Sequence, residues 1–436
     1  MLAYALLVIV CVIVGIFPAF FAAIMSFFLR RFGIYGSFAA PFAWVFTEFA
    51  RYWMTGNNWN ALGYSQAFFE PFLVYARYGG VLFVSFICAS FASAIAFGFV
   101  LISSSSNKYK YIFGVLPLTL LITAAFLINI LNSWVRWTYK GDVVAYVVAL
   151  QPNVPMSGLT REKWDQLRQR HVRMAEKALL ELRGKEYQPA RPITVIFPES
   201  PMNFMYEYDA ETKTFIDAFA SQNNVNVLFN SAEPNHLDGK FFNSAVMVGP
   251  ESREIQQYDK IYLVPFGEAV PFPLEGLLPG FVGNFSYGSE HRLFPLGEAK
   301  AGVMICFESH FGELSRQYVR NGADVIIEMT NDGYLGPTPV LRQHLANAVF
   351  RAVESKRPLL RVTNVGITAY INEGGEILNP APVYQEDFRI WTVSKSDGGL
   401  TFFARYGDWL GWICTLGLIG AFLFGFRKSF HSGNGC

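Results

Sequence analysis

Apolar and polar positions divide the chain into two kinds of segment. Runs with few or no charges, each long enough to cross ~30 Å of hydrocarbon as a helix of about 20 residues, occupy 1–29, 79–102, 111–133 and 409–426. A fifth run, 36–54, "GSFAAPFAWVFTEFARYWM", carries Glu48 and Arg51, which stand one turn apart and can neutralise each other in a bundle interior. From about residue 143 the pattern changes to short β-rich runs: "VVAYVVALQPNV", "ITVIFPES", "VNVLFNS", "FNSAVMVG", "AGVMICFES", "ADVIIEMT" and "PLLRVTNV". Helical stretches separate them, clearest in "LTREKWDQLRQRHVRMAEKALLELRG" and "PVLRQHLANAVFRAVESK". The pattern predicts a multi-pass α-helical membrane domain joined to a layered α/β domain.

The expected boundaries are 1–139 for a helical membrane domain of about four spans, 140–405 for the α/β domain, 406–428 for a last transmembrane helix and 429–436 for a tail. Within the first, 55–78 is amphipathic and rich in Trp, Tyr and Phe, and reads as an interfacial loop. The α/β segment is long enough to bury one sizeable core. The first apolar run lacks a basic lead-in and is too long for a signal-peptide core, so it reads as a retained span.

Positive charge orients the spans. Arg30 and Arg31 follow the first, Lys108 and Lys110 lie between the third and fourth, and Arg427 and Lys428 follow the last, so all three sites can be cytoplasmic together. Residues 55–78, the whole of 140–405 and the N-terminus then lie on the opposite side. Arg136 and Lys140 run against the rule, but Trp134, Trp137 and Tyr139 beside them form an interfacial belt.

Composition agrees with a membrane protein: 52% of residues are hydrophobic and 42 are Phe. The formal net charge is +1, with no basic run and no zinc-spaced Cys/His cluster, which sets nucleic acid aside. Of the five cysteines, Cys11, Cys88 and Cys414 lie in apolar runs and Cys436 in the tail. No disulfide framework follows, and Cys306 is left alone in the α/β segment.

Three segments end a hydrophobic lead-in with a polar residue: "VIFPES" with Glu199, "YDKIYLVPFGE" with Lys260 and Glu268, and "VMICFES" with Cys306. Strand ends hold catalytic groups because a rigid sheet fixes their position. A carboxylate with a raised pKa can activate a thiol, and a fixed cation can stabilise a tetrahedral oxyanion, so Glu, Lys and Cys together supply base, oxyanion partner and nucleophile. A Cys–His pair is the competing arrangement, with His171, His236, His291, His310 and His344 in the same domain and His310 only four residues beyond the thiol.

At these residues the chain resembles the nitrilase superfamily and, within it, the bacterial apolipoprotein N-acyltransferases. The matching stretches are "FPES", "YDKIYLVPFGEAVP", "GVMICFES", "TNDGYLG" and "RQHLANAVFRAVESKRPLLRVTNVG", with "PFAWVFTEFARYW" and "WNALGYSQ" in the membrane part. The resemblance implies a nitrilase-like αββα sandwich. It implies Glu199 as general base, Lys260 as oxyanion partner and Cys306 as nucleophile, with the Phe307 N–H helping to hold the oxyanion. Glu268 matches a second acid near the site, Trp164 a tryptophan on a mobile loop over it, and Glu308 the acid after the nucleophile. Those four, Trp164, Glu268, Phe307 and Glu308, are the expected substrate-side residues.

Two departures stand out. The family usually has Tyr directly after the nucleophile, so Phe307 lacks a hydroxyl that can orient substrate or base. It also usually has about three more spans ahead of the point where this sequence begins, and an odd difference agrees with an external N-terminus.

The activity implied is two-step acyl transfer at the periplasmic face of the bacterial cytoplasmic membrane. A membrane phospholipid is the acyl donor, a Cys306 thioester the intermediate, and the α-amine of an apolipoprotein's diacylglyceryl-cysteine the acceptor. Neither metal nor diffusible cofactor is implied. The aromatic loop at 57–78 and the apolar segment 270–283 are expected to shield acyl chains. The rival readings are a membrane-tethered amidase or nitrilase using water, and a non-catalytic lipoprotein-binding paralogue.

Overall fold

The computed structural model describes residues 2–56, 58–104, 109–134, 141–184, 188–251, 255–270 and 285–432. The chain separates into two compact units, one made of 1–137 with 406–436 and the other of 138–405. Trp137 and Tyr139 with Arg136 and Lys140, Lys108, the segment 270–283 beyond its first residue, and the last four residues of the tail lie outside the described residues, as does the side chain of Trp134.

The first unit is helical. Three described stretches are long and apolar enough to cross a membrane, 10–55, 76–104 and 110–130, and Trp409–Gly425 is a shorter apolar helix. The first stretch holds two of the expected spans: helix Leu2–Phe32 runs through a 3-10 segment, Gly33–Ala39, into helix Ala40–Thr55. At 1.5 Å per residue the second of these is about 24 Å long, below the thickness of the hydrocarbon, which is why it counts only together with its predecessor.

Glu48 and Arg51, expected to neutralise each other, take partners outside the pair. Glu48 is buried and accepts hydrogen bonds from Trp44 Nε1 at 2.8 Å and the Leu62 N–H at 2.6 Å, while Arg51 donates to Asn58 Oδ1 at 3.0 Å. The aromatic loop is thereby tied to the helix before it. A Cβ on Gly63 would overlap the Val81 carbonyl, and the Gly63 N–H donates to Ser85 Oγ at 2.8 Å, so the loop is packed onto helix Ala76–Ser104 as well.

The second unit is a sandwich of two six-stranded sheets. Its strands are β1 (Val143–Gln151), β2 (Ile193–Phe197), β3 (Asn226–Pro234), β4 (Phe241–Val248), β5 (Ile255–Asp259), β6 (Leu293–Leu296), β7 (Ala299–Ile305), β8 (Val325–Thr330), β9 (Leu359–Thr363), β10 (Ala369–Ile371), β11 (Ile377–Leu378) and β12 (Asp387–Ser394). One sheet has the order β12-β1-β2-β3-β4-β5 and the other β11-β10-β9-β8-β7-β6. In each, three central strands are parallel, β1-β2-β3 and β7-β8-β9, and the flanking strands are antiparallel.

The sheets face each other through contacts of β1 with β9 and of β4 with β7. Helices Arg161–Arg183 and Ala210–Asn223 cover the outer face of the first sheet, and Gly312–Arg320 and Val340–Ser355 that of the second. Strand β1 is buried on both faces, as a sheet held between helices and a second sheet requires. Thr160 and Asp209 cap the first two helices, accepting N–H groups from Lys163 and from Glu211 and Thr212. The seven apolar runs expected as strands are β1 to β4 and β7 to β9. Helices Ala210–Asn223 and Gly312–Arg320 and the edge strands are additions to the sequence reading.

Gly302, in β7 ahead of the Cys306 segment, lies under the ring of Tyr318, which is fully buried and donates its hydroxyl to the Val303 carbonyl at 2.6 Å. A Cβ at 302 would overlap that ring. Gly302→Ala is therefore expected to destabilise the α/β unit by ~1–3 kcal/mol, the usual range for overpacking, seen as a lower unfolding midpoint of the full chain in detergent. An unchanged midpoint would mean that the Tyr318 ring can move aside.

Candidate active site

Glu199 lies two residues beyond β2, Lys260 one beyond β5, Cys306 one beyond β7 and Asn331 one beyond β8. Strand ends from both sheets thus converge. Cys306 has φ of 51°, a left-handed conformation that costs a residue with a side chain of order 1 kcal/mol and that turns the chain out of β7 into a single 3-10 turn, Cys306–His310.

Glu308 anchors that turn. Its Oε1 accepts from Tyr258 Oη at 2.7 Å and from the N–H groups of Ile261 and Tyr262 at 2.7 and 3.2 Å; its Oε2 accepts the Ile305 N–H at 2.8 Å. It is fully buried, and burial pushes its carboxyl up to about 7 against the lowering effect of Lys260 and these donors. The expectation that Glu308 meets substrate is corrected here: both carboxyl oxygens accept from protein donors and staple the turn at Cys306 to the segment after β5.

The Lys260 ammonium is itself fully buried and contacts Glu268 Oε1 at 2.8 Å. Asn243 of β4 bridges two acids, its Nδ2 donating to Glu268 Oε1 at 2.7 Å and to Glu199 Oε1 at 3.2 Å. Glu268 Oε2 accepts the Val264 N–H, and Glu199 Oε2 the Asn331 N–H at 3.0 Å.

Burial raises Glu199 above the ordinary carboxylate value, against the pull of Lys260 and with the help of Glu268. In Glu268 burial acts the same way, but the Lys260 ammonium and three hydrogen bonds outweigh it and hold that carboxyl low. The three anionic or potentially anionic neighbours Glu268, Glu199 and Cys306 keep Lys260 protonated despite its burial. Burial, then Glu199, push the Cys306 thiol far above its ordinary value, opposed by Lys260 and Thr330.

The arrangement is therefore a neutral thiol, a carboxyl of raised basicity and a buried cation brought together at the strand ends. Such a set can move a proton from sulfur to carboxylate as the sulfur attacks, and can stabilise negative charge beside the cation.

The histidines fall elsewhere. His171 is in the core against Phe197, His236 pairs with Glu207 on the surface, and His291 lies edge-on to Tyr318. The His310 Nδ1 is 2.7 Å from the Phe307 carbonyl and its ring stacks on His344. Phe307 packs edge-on to Phe311, which stacks on Tyr262. Trp164 stands in the first turns of helix Arg161–Arg183, with its ring against Phe204 at 6.2 Å and Arg168 over its face, so the loop placement expected for it is corrected to a helix.

Asn243 and Asn331 are the site residues that the sequence reading passed over. Asn243 interrupts the apolar strand "FFNSAVMV" and Asn331 ends "VIIEMT", and a polar residue breaking or closing a buried strand was the available signal. Among the described residues no group of three or more His, Cys, Asp and Glu side chains is arranged to hold a metal ion.

Comparison with known proteins fits this geometry. Residues 187–400 match the carbon-nitrogen hydrolase family, and residues 1–94 match the apolipoprotein N-acyltransferase N-terminal domain. The apolipoprotein N-acyltransferase of Geobacter metallireducens is 31% identical over 430 residues, covering 95% of this chain and 79% of the relative. The chain belongs to the apolipoprotein N-acyltransferase family. It is an acyltransferase of lipoproteins and a membrane protein, with a nitrilase-like catalytic fold.

A second family member, apolipoprotein N-acyltransferase 1 of Treponema denticola, is 28% identical over 94% of this chain and 80% of its own length. Among solved structures, Saccharomyces cerevisiae Nit3, a member of branch 10 of the nitrilase superfamily, aligns with 58% of this chain and 91% of its own at 18% identity and a TM-score of 0.44.

In this acyltransferase, Glu308→Gln replaces an oxygen that faces N–H and O–H donors by an amide NH₂. It is expected to destabilise the α/β unit by ~1–3 kcal/mol, read as a lowered unfolding midpoint in detergent. A midpoint equal to that of the wild type would show that the four donors find other acceptors.

Proposed function

We propose that the chain transfers an acyl chain from a membrane phospholipid to the α-amino group of an apolipoprotein's diacylglyceryl-cysteine, by a ping-pong route through a Cys306 thioester. Residues 140–405 form the catalytic domain, on the periplasmic face of the bacterial cytoplasmic membrane. Residues 1–139 and 406–428 are its multi-pass membrane part. The observation that carries this reading is the convergence of Glu199, Lys260 and Cys306 at strand ends, where a carboxyl of raised pKa and a neutral thiol stand beside a buried cation.

In the first step Glu199 takes the proton from Cys306 Sγ as sulfur attacks the ester carbonyl carbon of the phospholipid. The oxyanion forms beside Lys260 and the Phe307 N–H. Collapse breaks the acyl–oxygen bond, the leaving alkoxide takes the proton back from Glu199, and a lysophospholipid departs from a thioester. In the second step the lipoprotein amine attacks the thioester carbonyl, and its proton passes to Glu199. Collapse releases the Cys306 thiolate, which recovers that proton, and the product is an amide.

Trp164, Glu268 and Phe307 complete the substrate side, Glu268 by holding Lys260. Both substrates carry chains whose exposure to water would cost ~0.8 kcal/mol per CH₂, which favours a site reached from a bilayer.

The test is mass analysis of the detergent-purified full chain after incubation with phospholipid. Wild type should gain an acyl adduct on Cys306 that hydroxylamine removes and that discharges onto a diacylglyceryl-cysteine peptide, and Cys306→Ala should gain none. Discharge onto water alone would replace the transferase reading by a hydrolase one, and no adduct on folded protein would end both.

The acylation rate should also fall as pH is lowered. Because the Glu199 pKa is raised and its ionised form is the base, activity is present above that pKa and lost below it, so the acid limb should lie above pH 4.5. Glu199→Gln should remove the limb and lower acylation by at least about 100-fold.

A further inference from the structure

Behind the nucleophile turn lies a second cluster of ionisable groups that the steps above leave unused. His344, on helix Val340–Ser355, is buried among Glu328 of β8, Asp332 just beyond it, Arg361 of β9 and His310 of the nucleophile turn. Its Nδ1 is 2.8 Å from Asp332 Oδ1 and 3.2 Å from the Arg361 guanidinium. Its Nε2 reaches three oxygens: Ser309 Oγ at 3.2 Å, Glu328 Oε1 at 3.4 Å and the carbonyl of Cys306 at 3.4 Å.

Arg361 ion-pairs both Glu328 and Asp332. A Cβ on Gly366 would overlap the Asp332 carboxylate, so that acid is held by packing as well as by charge. Glu328, Asp332, His344 and Arg361 are each at most 2% exposed, and two carboxylates face one guanidinium around the imidazole. Nε2 thus faces oxygens that can accept its hydrogen, while Nδ1 lies between an acceptor, Asp332 Oδ1, and a donor, the Arg361 guanidinium.

We infer that His344 is a positioning residue for acyl transfer: it donates its Nε2–H to the carbonyl of Cys306 and so holds the left-handed nucleophile turn from behind. The contact is to the backbone of the very residue whose φ is positive, at the point where β7 gives way to the turn. Ser309 Oγ donates to the same carbonyl at 3.2 Å, so two groups fix the peptide plane that follows the thiol. The Arg361 pairs with Glu328 and Asp332 hold the imidazole at its Nδ1 side. A thiol presented by a turn free to relax toward φ < 0 would point elsewhere, while phospholipid binding would be untouched.

This inference rests on Cys306 being the nucleophile, and the experiment separates the two. His344→Gln places an amide N–H near the Nε2 position, whereas His344→Asn reaches only toward Nδ1. Each full-length variant in detergent is measured for unfolding midpoint, single-turnover acylation by phospholipid as a function of lipid concentration, and alkylation of Cys306 by iodoacetamide across pH.

The expected result is a loss of at least tenfold in the acylation rate constant for His344→Asn with half-saturating lipid concentration unchanged, and recovery to within about threefold of wild type for His344→Gln. The pH profile of Cys306 alkylation should shift in the Asn variant and return in the Gln variant. Equal rates in the two variants per folded molecule, or losses that follow the unfolding midpoint with the alkylation profile unmoved, would overturn the inference and leave His344 a core residue. A wild-type chain that shows no acylation yet keeps the Asn-versus-Gln difference in alkylation would sink the thioester reading and leave the positioning role standing.

Discussion

A fully buried lysine ammonium organises the α/β unit. Lys260 is out of water at the end of β5, and a bare cation there would be prohibitively unfavourable unless anionic partners stood beside it. Glu268 supplies the direct partner, and Glu199 and Cys306 add their fields. Each of those groups is in turn perturbed by the lysine: one carboxyl is held low, the other stays high because burial and its neighbouring acid prevail, and the thiol stays protonated. The differentiation of the two glutamates, one held low and one raised, follows from which of them touches the ammonium. Asn243, bonded to both, keeps them at fixed separation.

Holding these charges together demands rigidity, and the sandwich supplies it through strand ends. The parallel strands β2, β7 and β8 deliver Glu199, Cys306 and Asn331, and the antiparallel β4 and β5 deliver Asn243 and Lys260. Glu308 then links two of the contributing segments, since its carboxyl accepts the backbone N–H just before Cys306 and two more after β5. Buried polar groups of this kind are costly when left unpaired, so each added bond restricts the positions available to the rest. The result is a pocket in which a strained cysteine is supported from in front by Glu308 and from behind by the His344 cluster.

The helical unit follows a different constraint. In its apolar surroundings a polar side chain has to find protein partners, and Glu48 does so by accepting the Trp44 and Leu62 N–H groups, which folds the aromatic loop back onto its own helices. The conversion of a charge in an apolar run into a loop anchor explains why the Glu48–Arg51 spacing alone was a poor guide to its partner.

Much was legible in the chain itself. The membrane character, the two-part organisation and seven of the twelve strands follow from runs of apolar residues, because burial on one or both faces leaves a pattern that is local in sequence. Glu199, Lys260, Glu268 and Cys306 stood out for the same local reason, as polar residues ending hydrophobic runs. Strands β5, β6, β10 and β11 are too brief to leave such a pattern.

What only the tertiary structure decided is which side chains meet. Glu308 turned from a substrate residue into a buried staple, and His310 from candidate base to a ring stacked on His344. These outcomes depend on contacts between residues tens to more than a hundred positions apart, such as Glu199 with Asn331 and Tyr258 with Glu308. Hydrophobic periodicity is a property of neighbours along the chain, whereas hydrogen-bond partners and pKa shifts are set by neighbours in space, so the sequence by itself determined the elements and the packing of the sheets selected the roles.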